Sequence, residues 1–321
     1  MTTSTKICLI VAASLLALGV IFFIAAMAIS QFKFAEVFTT ASYETATQDI
    51  NDEFENISIN TTTADVTILR SADDSAHVVC FYNKKITYSV AVTDGTLSIE
   101  ENDERRWFDH ISIVSNTPEL RVYLPSDEYE ALTIDLSTGD VRVEEFTFSS
   151  INIDVSTGDI ECLASVKGEL NIHTTTGDIG ISGASAGSMN LKTTTGLVNI
   201  FDITCDGDVN IKGTSGRSVL TNVDCKNLTI NSGSGASKMI NVIASETITI
   251  NKNTGGVKLE ACDAAELNIK TTTGDVVGSL LTEKVFVTNT TTGDISVPKS
   301  TSGGICEIST TTGEIDIDIK K

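Results

Sequence analysis

The sequence predicts an all-β chain wound as a right-handed parallel β-solenoid of about ten 19-residue coils. Three observations predict it. Ten glycines recur as Gly139, Gly158, Gly177, Gly196, Gly216, Gly235, Gly255, Gly274, Gly293 and Gly313, spaced by 19 or 20 residues, each preceded by Thr or Ser. Five residues before them runs an aliphatic column, Ile134, Ile153, Ile172, Leu191, Ile211, Ile230, Ile250, Ile269 and Ile308, broken only by Thr288. Around each Gly, apolar and polar residues alternate, the period of a strand with one buried face. One such unit cannot enclose a core, whereas stacking lays column over column and pairs the strand edges above and below. At roughly 4.8 Å per step, ten coils make a rod of about 48 Å, and the crossover rule supplies its hand.

From the N-terminus, residues 1–6 read as a cytoplasmic tip and 7–30 as a transmembrane anchor. The apolar run 7–29 is 23 residues, about 34 Å as a helix, enough for one bilayer crossing. Lys6 before it and Lys33 after it set the orientation only weakly. Ala26-Met27-Ala28 could be a signal-peptide cleavage site, but the run exceeds the ~7–15 residues of a signal core, so a retained single-pass cell-membrane anchor is expected. Residues 31–321 are then extracytoplasmic. Residues 31–56 lack a regular pattern and read as a stalk.

Residues 57–130 read as a first coil with a hairpin flap. Residues 57–68 repeat the coil phrase with Ala64 in place of Gly, and 75 residues separate Ala64 from Gly139. Within that insertion, residues 77–82, 86–92, 96–100 and 119–124 alternate as strands, and Asp94-Gly95 is a strong hairpin signal. An antiparallel flap covering the edge of the first coil is expected. Residues 131–321 form the repeat array, and the charges alternating along 315–321 are expected to keep other strands from docking at its far end.

The charge balance, 43 Asp+Glu against 22 Lys+Arg for a net −21, disfavours nucleic acid as a partner. An apolar content of 41% separates the chain from disordered sequences. Three His share no spacing, and no Cys-x-x-Cys or His-Glu-x-x-His phrase occurs, so no catalytic or cofactor-binding residue is assigned and no cofactor is expected. Asp140, Asp159 and Asp178 follow successive glycines and should stack. They are weak candidates for a divalent cation, with turn chemistry the plainer account. The Thr clustered at the bends read as turn hydroxyls rather than an ice-binding face. Asn152, Asn171, Asn190 and Asn210 fall in one outward column that could form an amide ladder or present donors to a glycan. Trp107, beside Arg105, Arg106 and Phe108, is the other candidate contact, read first as an anchor for the flap. Cys205 and Cys225 fall on adjacent coils within disulfide reach, but parallel neighbours orient Cβ atoms poorly for it, and buried free thiols are expected.

The Thr-Thr-Gly-Asp phrases, Asp263-Ala264-Ala265-Glu266-Leu267, Gly278-Ser279-Leu280-Leu281, Val297-Pro298-Lys299-Ser300, Arg106-Trp107-Phe108 and Val122-Tyr123-Leu124-Pro125 resemble the bacterial β-strand-repeat "putative adhesin" family of unknown function. The resemblance covers nearly the whole chain. It implies a membrane-anchored envelope solenoid of Gram-positive gut-type bacteria, and it implies no activity. The mid-array turns Gly213-Thr214-Ser215-Gly216 and Ser232-Gly233-Ser234-Gly235 depart from its pattern by lacking the following Asp. The functional expectation is a non-enzymatic, membrane-tethered, adhesin-like or structural module that contacts an envelope glycan or protein. The alternatives are an envelope-stress sensor touching a membrane partner and, further off, a carbohydrate-active enzyme.

Overall fold

A computed structural model describes residues 3–29, 43–83, 86–103 and 117–320. Thr3–Ile29 is one α-helix. Its described side chains, residues 5, 6 and 10–25, are exposed, and among the described residues no helix is long and apolar enough to cross a membrane. The 23-residue span expected from the sequence also draws on residues 7–9 and 26–29, whose side chains lie outside the described set.

The rest is β-solenoid. A long strand, a glycine turn and a short strand make each coil, as in Glu128–Thr138 with Val141–Val143 and Thr147–Thr157 with Ile160–Cys162. Successive coils pair parallel and in register: Ile153 lies between Ile134 and Ile172, and Asn190 between Asn171 and Asn210. The aliphatic column is accordingly buried along the rod, at 0–2% exposure from Ile134 to Ile308. All six described cysteines, including Cys205 and Cys225, are buried and free.

In the middle of the rod the short strand of one coil merges with the long strand of the next, and Ser218–Ser234 and Ser237–Thr254 turn the corner without a break. That corner falls six residues after each turn glycine. Asp202, Asn222, Asn241 and Ala261 hold it with φ of 52–54°, a left-handed conformation that Asn and Asp accept more readily than most residues. Asn222 donates to Asp202 at 2.6 Å and Asn241 to Asn222 at 3.0 Å, so the corner carries its own polar ladder.

Both ends depart from chain order. At the first end, Thr96–Asp103 and Glu119–Leu124 pair parallel with Asn56–Thr63 and Asp65–Arg70, adding a coil outside the one that precedes them. The flap is therefore only partly antiparallel. Ile86–Thr93 caps that outer coil through the Asp94-Gly95 hairpin, Ala76–Asn83 pairs antiparallel with Glu119–Leu124, and Tyr43–Ile50, inside the segment read as a stalk, pairs antiparallel with Ala76–Asn83. Leu97, Ile99, Leu120 and Val122 are wholly buried, which makes the inserted coil part of the core.

At the far end the last two coils exchange places. Gly304–Thr312 pairs with Val257–Lys270 on one side and Lys284–Thr292 on the other, and Ile315–Ile319 lies between Val276–Leu280 and Ile295–Ser296. The charged 315–319 strand is thus interior, and the exposed edge belongs to 284–296. Thr288, the break in the aliphatic column, sits on that last coil, where an inward side chain has a neighbour on one side only. A buried ion pair staples the crossover: Lys284 Nζ lies 2.6 Å from Asp263 Oδ1, which also accepts from Thr282 Oγ1 at 3.1 Å.

Candidate interaction face

Each letter of the Thr-Thr-Thr-Gly-Asp phrase has its own task between coils. The Thr three places before the glycine points inward and donates its hydroxyl to the glycine carbonyl of the neighbouring coil. Thr174 does so to Gly158 at 3.2 Å, Thr193 to Gly177 at 3.3 Å and Thr310 to Gly274 at 3.2 Å. These hydroxyls serve inter-coil bonds rather than the local turn chemistry expected of them. The glycine stacks on its predecessor, and a Cβ on Gly158 would meet the Gly139 oxygen at 1.8 Å.

The aspartates are occupied as well. Asp140 Oδ1 accepts the Asp159 amide at 2.8 Å, Asp159 Oδ1 the Asp178 amide at 2.7 Å, and Asp178 Oδ1 the Leu197 amide at 2.7 Å. Each carboxylate thus satisfies an otherwise exposed turn amide on the next coil. Among the described residues no group of three or more His, Cys, Asp or Glu is placed to hold a metal ion.

The asparagine column lies on the outer face of the long-strand sheet. Asn190 Nδ2 donates to Asn171 Oδ1 at 2.9 Å and Asn210 Nδ2 to Asn190 Oδ1 at 3.2 Å, while Asn171 Nδ2 reaches Glu169 at 3.5 Å. Asn152 is in register with them. Two residues further along each strand runs a second column, Asp154, His173, Lys192 and Lys212. His173 Nδ1 lies 3.1 Å from Asp154 Oδ2. The two columns wall a shallow groove of about 260 Å³, and a second of about 510 Å³ continues past Asn231, Asn251 and Lys270. Trp107 lies outside the described residues.

The second column was not singled out in the sequence, although its spacing from the turn glycines is as regular as that of the asparagines. Lys252 also escaped notice. It occupies the inward Thr position, buried, with Nζ donating to Ser232 Oγ at 2.7 Å and Ser237 Oγ at 2.8 Å, and burial pulls its amine down to about 8.

The family model for Toastrack DUF4097 matches residues 54–217 and again 204–321. The chain belongs to the Toastrack DUF4097 family. This Toastrack chain is similar in fold to a crystal structure described as a "putative lipid binding protein" from Parabacteroides distasonis ATCC 8503, at 14% identity and a TM-score of 0.50, covering 84% of this chain and 98% of that one. It also resembles a "putative adhesin" from Bacteroides fragilis NCTC 9343, at 16% identity and a TM-score of 0.40 over 87% of this chain and all of that one. A third, from Parabacteroides merdae ATCC 43184, is likewise described as a "putative adhesin", at 12% identity and a TM-score of 0.37 over 86% of this chain and 96% of that one. No curated protein matches this Toastrack chain.

Proposed function

We propose that the chain is a non-enzymatic interaction module of the bacterial cell envelope, tethered by its N-terminal helix, whose solenoid presents the long-sheet face to a surface polymer or protein. The ladder of Asn171, Asn190 and Asn210 carries this reading. Asn171 and Asn190 each commit one N–H and the carbonyl oxygen internally, Asn210 commits one N–H, and each amide leaves a second N–H free. A row of fixed donors repeated along a rigid rod suits a repetitive ligand better than a single small molecule. The 23-residue apolar run supports an exterior placement of residues 31–321, in which the face would meet envelope polymers. The test is capture from intact envelope by the full chain in detergent micelles. A polymer or a stoichiometric envelope protein retained by the parent and lost with Asn171→Leu/Asn190→Leu/Asn210→Leu agrees with the proposal. Retention unchanged by that triple variant defeats it.

A further inference from the structure

Two adjacent columns of the long-sheet face are free of acid over a long stretch, while the column on the other side of the asparagines holds Glu169, Asp208 and Glu266. Between the coil of Asn171 and that of Lys270, the asparagine column and the column beside it contain His173, Lys192, Lys212 and Lys270 and no Asp or Glu. The chain as a whole has 43 acidic and 22 basic residues. Acid returns at both limits, as Asp154 on one side and Glu307 on the other. The stripe crosses six coils, roughly 24 Å at ~4.8 Å per step; one groove lies between its two columns, and the second lies on the turn side of Asn231, Asn251 and Lys270.

Lys192 and Lys212 are neighbours in register and both exposed. Among the described residues neither they nor Lys270 take part in any ion pair or side-chain hydrogen bond, although exposed lysines elsewhere on the rod do, Lys167 with Glu128 and Lys226 with Glu246. Two unpaired ammonium groups carried on strands ~4.8 Å apart repel one another, and an anion laid across them removes that repulsion. We infer that this stripe is a binding site for an acidic polysaccharide, one bearing carboxylate or other anionic groups along an extended chain.

The surroundings favour a glycan over an acidic peptide. The stripe lies on the face of the sheet, where backbone N–H and C=O groups are spent on both neighbours, so a peptide finds no edge to extend. Within the two columns the outward groups are side-chain amides, ammonium groups and the Thr229 and Thr249 hydroxyls, which include donors suited to sugar hydroxyls and carboxylates. The step between coils is also about the length of one sugar unit in an extended chain.

This inference rests on the interaction-module reading and adds the ligand class. The full chain in detergent micelles would be passed over immobilised polygalacturonate, with neutral dextran, poly-glutamate and single-stranded DNA as parallel surfaces. Retention on polygalacturonate that falls as salt rises is expected, weakened roughly tenfold by Lys192→Gln/Lys212→Gln. Asn231→Asp/Asn251→Asp should weaken it similarly while leaving every lysine in place, since Asp135 and Asp154 already occupy that column in native coils. Lys238→Gln, on the other sheet, should change nothing. Equal retention on poly-glutamate or DNA would overturn the glycan assignment, as would no retention on polygalacturonate or retention indifferent to both double variants. If envelope capture survives in Lys192→Gln/Lys212→Gln while polygalacturonate is ignored, the stripe fails and the broader reading stands.

Discussion

A methyl group on Gly177 would lie 1.9 Å from the Gly158 carbonyl oxygen, on a backbone with φ of 148°. Gly177→Ala should therefore cost at least about 2 kcal/mol in thermal or urea unfolding. Gly183 is the control, because at φ 64° it has nothing within 4 Å of a Cβ and shares its corner column with Asp202 and Asn222. Gly183→Asn should stay within about 0.5 kcal/mol of the parent. Lys252 points the other way. Burial lowers its amine to about 8, against ~10.4 in an unfolded chain. Between those values the unfolded state binds more protons, so the Lys252 contribution to stability rises with pH from about 8 upward and is at its worst below. Lys252→Thr removes a buried charge and restores the hydroxyl that Thr174, Thr193 and Thr271 use to bond a glycine carbonyl. It should stabilise by roughly 1–3 kcal/mol near neutral pH, and its gain over the parent should shrink when denaturation is repeated at alkaline pH.

The coil is the element in which these residues act, and the last coil in space is the least supported. Asp263→Asn would leave the Lys284 ammonium buried without its partner, a loss of about 3 kcal/mol or more. Since each coil touches mainly its neighbours, hydrogen exchange should accelerate across 284–296 and leave coils near Ile153 and Ile172 protected. Uniform acceleration along the rod would contradict this. At this scale the sequence was readable because every coil repeats the same local demands: the glycine column where backbones touch, the aliphatic column where side chains are buried, the asparagine column facing out. The order of coils was not readable for the same reason. Identical columns fit any neighbour, so nothing periodic tells that 304–312 intervenes between 257–270 and 284–292; only Thr288 and the buried Lys284 mark an end. The lysine stripe was hidden differently, since its residues differ from coil to coil and reveal themselves only when columns are read down the rod.

For the whole molecule, attachment is the first question. If the anchor is retained, mass spectrometry of the protein from its native membrane should recover peptides preceding Ala28, and a mature chain beginning at Ile29 would overturn the tethered reading. The exchange of the last two coils reaches beyond the finished shape. A chain made from its N-terminus can stack each coil as it emerges, from 128–143 through 266–280, but residues 284–296 come off the ribosome before the coil that joins them to the rod. They must wait, unpaired, for 304–319 to be synthesised and slide into the gap. A message cut short anywhere in that stretch yields a product with a loose tail rather than a slightly shorter rod. Completion of translation is thus written into the topology, and proteases that patrol for frayed ends would distinguish whole copies from broken ones without reading either sequence.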